Sequence, residues 1–175
     1  ALFHAADKAS LQAQSKYYGA LKVYLILLIS AASCSFIFPK DNSHGAVASA
    51  ILFLTTLGIL IWLQIQKPED IWYNGRAVAE SIKTLTWRWV MKAEPYNQPM
   101  PEDSIRKTFL KDLKTILDQN NSLSSYLHFE NNSGHAISDA MSKIRQLPYN
   151  ERLSIYKKER VHDQAQWYAQ KSKHN

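Results

Sequence analysis

Trp72, Arg76, Glu80, Lys83 and Trp87 follow one another at spacings of three or four, so on a helix they form one stripe. Arginine and lysine between two indoles can take an anion, with the cations on phosphate and the rings stacked on bases. The same residues can equally pack and pair. Arg76 and Glu80 are four apart and Glu80 and Lys83 three apart, and Glu80 among the cations repels phosphate. Tyr156, Arg160, Gln164 and Trp167 align on one side of a C-terminal helix. They are a natural complement to the first stripe, within one chain or between neighbouring subunits.

A second group is neutral. Ser30, Ser33, Cys34 and Ser35 sit in one apolar run, and Thr55, Thr56 and Gly58 in another. Ser30, Ser33, Thr55 and Thr56 could line a water-filled pore in an oligomer. Small residues also serve close helix packing. No ionisable residue lies deep in either run, so there is no charge-selective filter. Nothing points to an enzyme or a cofactor. The single cysteine, Cys34, can form neither an internal disulfide nor a cysteine zinc site. The six histidines are scattered, none at the HExxH spacing.

The elements carrying these groups divide the chain between two solvents. Ala46 to Leu63 is 18 residues without a charge, which spans roughly 27 Å as a helix. Ala20 to Phe38 is 19 residues with one charge, Lys22, near its start, where a lysine reaches the headgroups. Both runs approach the hydrocarbon thickness of about 30 Å, and backbone in lipid must satisfy its own hydrogen bonds, so both are expected to be helices. The link Pro39 to Gly45 holds turn formers. It predicts an antiparallel hairpin, with Tyr17, Tyr18, Trp62 and Trp72 at the interfaces. Lys8, Lys16 and Lys22 precede the hairpin, and 17 Lys and Arg against 13 Asp and Glu follow Leu63. The positive-inside rule therefore puts both termini in the cytoplasm. The sequons at Asn120 and Asn131 then fall on the cytoplasmic side and read as chance.

The remainder reads as helix. Asp70 is a good N-cap for a helix from Ile71 to about Lys92, with Ile71, Val78, Ile82, Leu85 and Trp89 as its apolar face. Pro95 stops it. Ile105, Phe109, Leu113, Ile116 and Leu117 mark a second helix. Asn120 to Gly134 is a polar connection. Further helices are expected from about Ala136 to Gln146 and from about Asn150 to Lys171, parted by Pro148. No segment alternates with period two, so the fold class is all-α: a transmembrane helical hairpin plus a cytoplasmic helical bundle. The division is 1–66, with spans 20–38 and 46–63, then 67–100, then 101–175. The basic surface, including Arg152, Lys157, Lys158 and Arg160, suits anionic headgroups as well as water. Interleaved acids argue against nucleic acid. Gln164, Trp167, Tyr168 and Ala169 match Gln14, Tyr17, Tyr18 and Gly19 at a constant offset, which suggests that the natural protein continues into a second hairpin.

Trp72, Tyr73, Arg76, Ala79, Glu80, Lys83, Trp87, Pro95 and Tyr96 resemble the post-hairpin signature of the SLATT membrane domains. Tyr156, Arg160, Asp163, Gln164, Trp167 and Tyr168 resemble the helix leading into the hairpin of another SLATT subfamily. These domains are two-helix membrane modules beside second-messenger nucleotide synthases and their sensors in bacterial conflict systems. The resemblance implies a homo-oligomeric effector in the inner membrane that breaches it, with a nucleotide second messenger or a sensor protein as partner. The alternative is a non-conducting anchor and oligomerisation scaffold.

Overall fold

The computed structural model describes residues 2–38, 43–97, 99–120 and 136–173, without the side chain of Ser35. Residues 39–42 of the expected turn, and most of the connection after Asn120 with the Asn131 sequon, lie outside the described residues. Among the described residues every regular element is helical. α1 is Leu2–Ile37, α2 Ser43–Gln66, α3 Pro68–Val90, α4 Glu102–Asp118, α5 Asp139–Gln146, α6 Tyr149–Tyr156 and α7 Asp163–Ser172. A π-helical turn, Lys157–His162, joins α6 to α7. The all-α reading holds, and α1 and α2 are long and apolar enough to cross a membrane.

Two compact units part within α3: Ala6–Arg76, and Ala77–Asn175 together with Ala1–Ala5. In the first, α1 and α2 pack through small groups. Ala31, Ser49 and Thr56 are buried, and the Ser49 hydroxyl donates to the Ala31 carbonyl at 3.1 Å. Only 6% of the apolar window in α1 and 11% of that in α2 is buried by the chain itself. That much exposed apolar surface is unfavourable in water and is what a lipid solvent accepts.

α3 begins at Pro68, not Ile71, so Asp70 lies in its first turn instead of capping it. Two features set this start. Lys67 takes φ 41° and interrupts the helix between α2 and α3. Pro68 then occupies the first helical position, where its missing N–H costs nothing. The start of α1 packs on α3 through Ala6, Ala9, Ser10 and Ala13, all buried. The Ser10 hydroxyl donates to the Trp72 carbonyl at 3.0 Å. Gly75 permits this approach. A Cβ there would stand 3.1 Å from the Ser10 Cβ and 3.2 Å from its backbone N and Cα.

In the second unit Val78, Ile82, Leu85 and Trp89 of α3 are buried, as their period requires, together with Ile105, Phe109 and Leu113 of α4. Phe109 meets Trp89 at 5.4 Å and Tyr96 at 6.0 Å between ring centroids. α3 ends at Val90, and Lys92 follows with φ 53°. α5 starts at Asp139, later than its apolar pattern suggests, because Ser138 caps it by accepting from the Met141 N–H at 3.2 Å. Pro148 ends it, as expected.

Candidate functional site: the polar stripe of α3

The stripe is shared between the two units. In Ala6–Arg76, Trp72 stacks on Tyr73 at 4.7 Å and meets Tyr18 at 5.5 Å and Tyr17 at 6.4 Å. Three of the four aromatics assigned to the membrane interfaces thus gather in one cluster. Arg76 lies 3.6 Å from Asp7 of α1, 69 residues earlier, a partner no local spacing reveals.

In Ala77–Asn175 the two predicted stripes meet. Arg160 donates to Glu80 Oε2 through Nη1 at 3.4 Å and Nη2 at 3.3 Å. Lys83 Nζ stands 3.9 Å from Asp163 and 5.8 Å from the centre of the Phe3 ring. Trp87 and Tyr156 meet edge to face at 5.3 Å. Arg160 reaches Glu80 from within the π-helical turn, whose wider winding has no side-chain signature in the sequence. Gln164 is half-buried. Trp167 and Tyr168 form an edge-to-face pair of their own, 5.0 Å apart, and are 48% and 64% exposed, so they stand outside this contact.

Tyr96 is core. It is buried and donates to Asp112 at 2.6 Å. Burial, then the hydrogen bond to Asp112, pushes its phenol well above the ordinary tyrosine range. Arg88 is exposed but not bare. Its Nε and Nη2 donate to the Glu94 carbonyl at 2.9 and 2.5 Å, holding the chain where α3 stops.

Sequence reasoning missed Arg145 and placed Arg152 on the basic surface; both are buried, because each guanidinium reaches backbone carbonyls at the end of α3. Arg145 bonds to the carbonyls of Trp89 and, at 3.3 Å, Tyr96. It also pairs with Glu102 at 2.5 Å and lies 4.7 Å from the centre of the Trp89 ring. The hydrogen bond from Arg145 holds the Glu102 carboxyl below the usual carboxylate range. Arg152 donates to the Val90 carbonyl at 3.3 Å.

Most of the membrane-depth hydroxyls are spent on the chain itself. Ser30 donates to the Ile26 carbonyl at 2.8 Å, Thr55 to Ile51 at 2.8 Å and Thr56 to Phe53 at 2.7 Å. Thr56 is only 4% exposed, a packing residue inside the hairpin, which takes it off any surface between chains. Ser33 is exposed. Thr55 lines an apolar groove of about 490 Å³ with Gly19, Val23, Gly58 and Trp62. Among the described residues no group of three or more His, Cys, Asp or Glu could hold a metal.

No curated protein and no solved structure matches the chain. The sequence model of the SMODS and SLOG-associating 2TM effector domain 3 matches residues 1–153, which takes in both apolar helices, the α3 stripe, α4 and α5, and stops before Tyr156, Arg160 and Asp163. With its two membrane-length helices and all-α body, the chain belongs to this family of two-transmembrane effector domains, associated with conflict systems.

Proposed function

We propose that the protein is a membrane effector of a bacterial antiphage system. It resides in the inner membrane with both termini in the cytoplasm, assembles with copies of itself, and breaches the membrane when a signal reaches its cytoplasmic helices. One observation carries the reading: a two-transmembrane effector domain in whose spans few residues are buried by the chain itself. Their exposed surface suits lipid at rest and neighbouring spans in an assembly. The excess of Lys and Arg on the segments flanking the hairpin supports the orientation.

A second reading, a non-conducting anchor and oligomerisation scaffold, is favoured by the hydroxyls. Ser30, Thr55 and Thr56 each bond to a carbonyl of their own helix, which is how such groups behave in a sealed interface. Induced expression in bacteria loaded with a potential-sensitive dye separates the two. The effector reading expects depolarisation as the protein accumulates in the membrane fraction. Full potential at high membrane levels of the protein overturns it in favour of the scaffold.

A further inference from the structure

Arg145 is an expensive residue to place where it is. Its side chain is 4% exposed, and a buried cation must always have an anion or acceptors around it. Part of its coordination is permanent. Nη1 bonds to the Trp89 carbonyl, Nη2 lies 3.3 Å from that of Tyr96, and the guanidinium stacks on the Trp89 ring. These groups fix its position and orientation whatever else is bound.

The other edge, Nε with Nη2, faces Glu102 at 2.5 and 3.4 Å. This is the two-pronged geometry by which arginine takes a carboxylate or a phosphate. Glu102 differs from the other partners because its side chain is 64% exposed and sits in the first turn of α4. It can swing into water without breaking the fold around Arg145.

Next to this edge is a pocket of about 350 Å³, within the range of small-molecule sites. Arg145, Glu102, Lys92, Arg106, Ser142 and Trp89 are among its walls. Two further cations therefore flank the fixed guanidinium. The indole N–H of Trp89 is buried and has no hydrogen-bond partner among the described residues, so a donor is left over on a pocket-lining side chain. Asp103 also lines the pocket and opposes an anion. Lys92 and Arg106 outnumber it.

We propose that this pocket binds a small phosphate-bearing anion, and that Glu102 is the chain's own occupant, displaced from Arg145 when the anion enters. A phosphate carries more charge than the carboxylate it replaces and can reach Lys92 and Arg106 as well. Displacement also uncouples α4 from α5, because Glu102 and Arg145 tie the two together. Only this consequence rests on the reading that the cytoplasmic helices receive a signal. The binding itself is read without any conductance.

The test uses the full chain in detergent, titrated with inorganic pyrophosphate and followed by calorimetry and tryptophan fluorescence at constant ionic strength. Wild type is expected to bind. Glu102→Gln removes the competitor and tightens binding about tenfold, a shift of about 1.4 kcal/mol. Lys92→Ala with Arg106→Ala, both exposed positions, weakens it by a similar factor while circular dichroism stays unchanged. No binding by wild type or Glu102→Gln up to about 10 mM pyrophosphate, the millimolar limit of a meaningful affinity, overturns the proposal. So does binding that none of these substitutions alters, which marks attachment elsewhere.

Discussion

The guanidinium of Arg160 stands 3.3 Å from the carboxylate of Glu80, across 80 residues of sequence. Glu80 lies on the α3 stripe and Arg160 on its complement. Their meeting shows that the stripe packs against another helix of the same chain. The π-helical turn and α7 contain no buried residue. Lys157–Ser172 therefore meets α3 through polar contacts, Arg160 with Glu80 and Asp163 with Lys83, and not through a core.

Such a contact is weak and measurable. In a double-mutant cycle, Glu80→Ala and Arg160→Ala are expected to couple by about 0.5–1 kcal/mol, the upper part of the range for partly exposed pairs. The measurement is thermal unfolding of all four proteins in one detergent, at low and high salt. Additivity within about 0.2 kcal/mol would mean that the pair is not a structural clasp.

Gly75 makes a sharper prediction. Two of the three nearest atoms to a Cβ there are Ser10 backbone, which cannot move without moving α1. Gly75→Val should destabilise by about 1–3 kcal/mol through this clash. Gly75→Ala gains about 1 kcal/mol of helix propensity against a smaller push and should be near neutral. A valine variant as stable as the glycine protein would show that α1 and α3 do not approach so closely.

Much of this was legible in sequence because it is local. Val78, Ile82, Leu85 and Trp89 sit at helical spacing, and that spacing alone places them in the core. Charge-free length alone marks the two spans. The stripes were legible as complementary faces, although Trp167 stays outside the contact it was expected to join. What was hidden is what depends on distant backbone. Arg145 reads as one more surface cation, and its distant partners, Glu102 43 residues away and the Trp89 carbonyl 56 residues away, explain its burial. Asp7 as the partner of Arg76, and the Glu94 carbonyl under Arg88, are hidden for the same reason. Arg76→Ala and Arg88→Ala would each remove a contact within the chain.

The Glu102–Arg145 pair gives a pH dependence with a definite sign. Glu102 is held below its unfolded value, chiefly by the hydrogen bond from Arg145. Its contribution is present above the ordinary glutamate pKa, about 4.3, and is lost as pH falls through the lower folded value. Thermal unfolding between neutral pH and acid should show wild type losing more stability than Glu102→Gln. Parallel curves for the two would contradict the pairing.

At the alkaline end Tyr96 acts in the opposite sense. Burial and Asp112 raise its folded pKa, so its contribution is intact below the unfolded tyrosine value of about 10 and is lost as pH rises towards the folded one. Tyr96→Phe should cost about 1 kcal/mol at neutral pH, the usual net worth of such a bond. It should also flatten the alkaline loss. An unchanged alkaline limb would remove Tyr96 from the account.

The most direct test of the effector reading is electrical. Purified full-length protein is reconstituted into a planar lipid bilayer at increasing protein density and the current is recorded under applied voltage. The account predicts stepwise currents with little preference between cations and anions, because neither span carries an ionisable residue at depth. A bilayer that stays sealed at every density and voltage, with the protein demonstrably inserted, would contradict it.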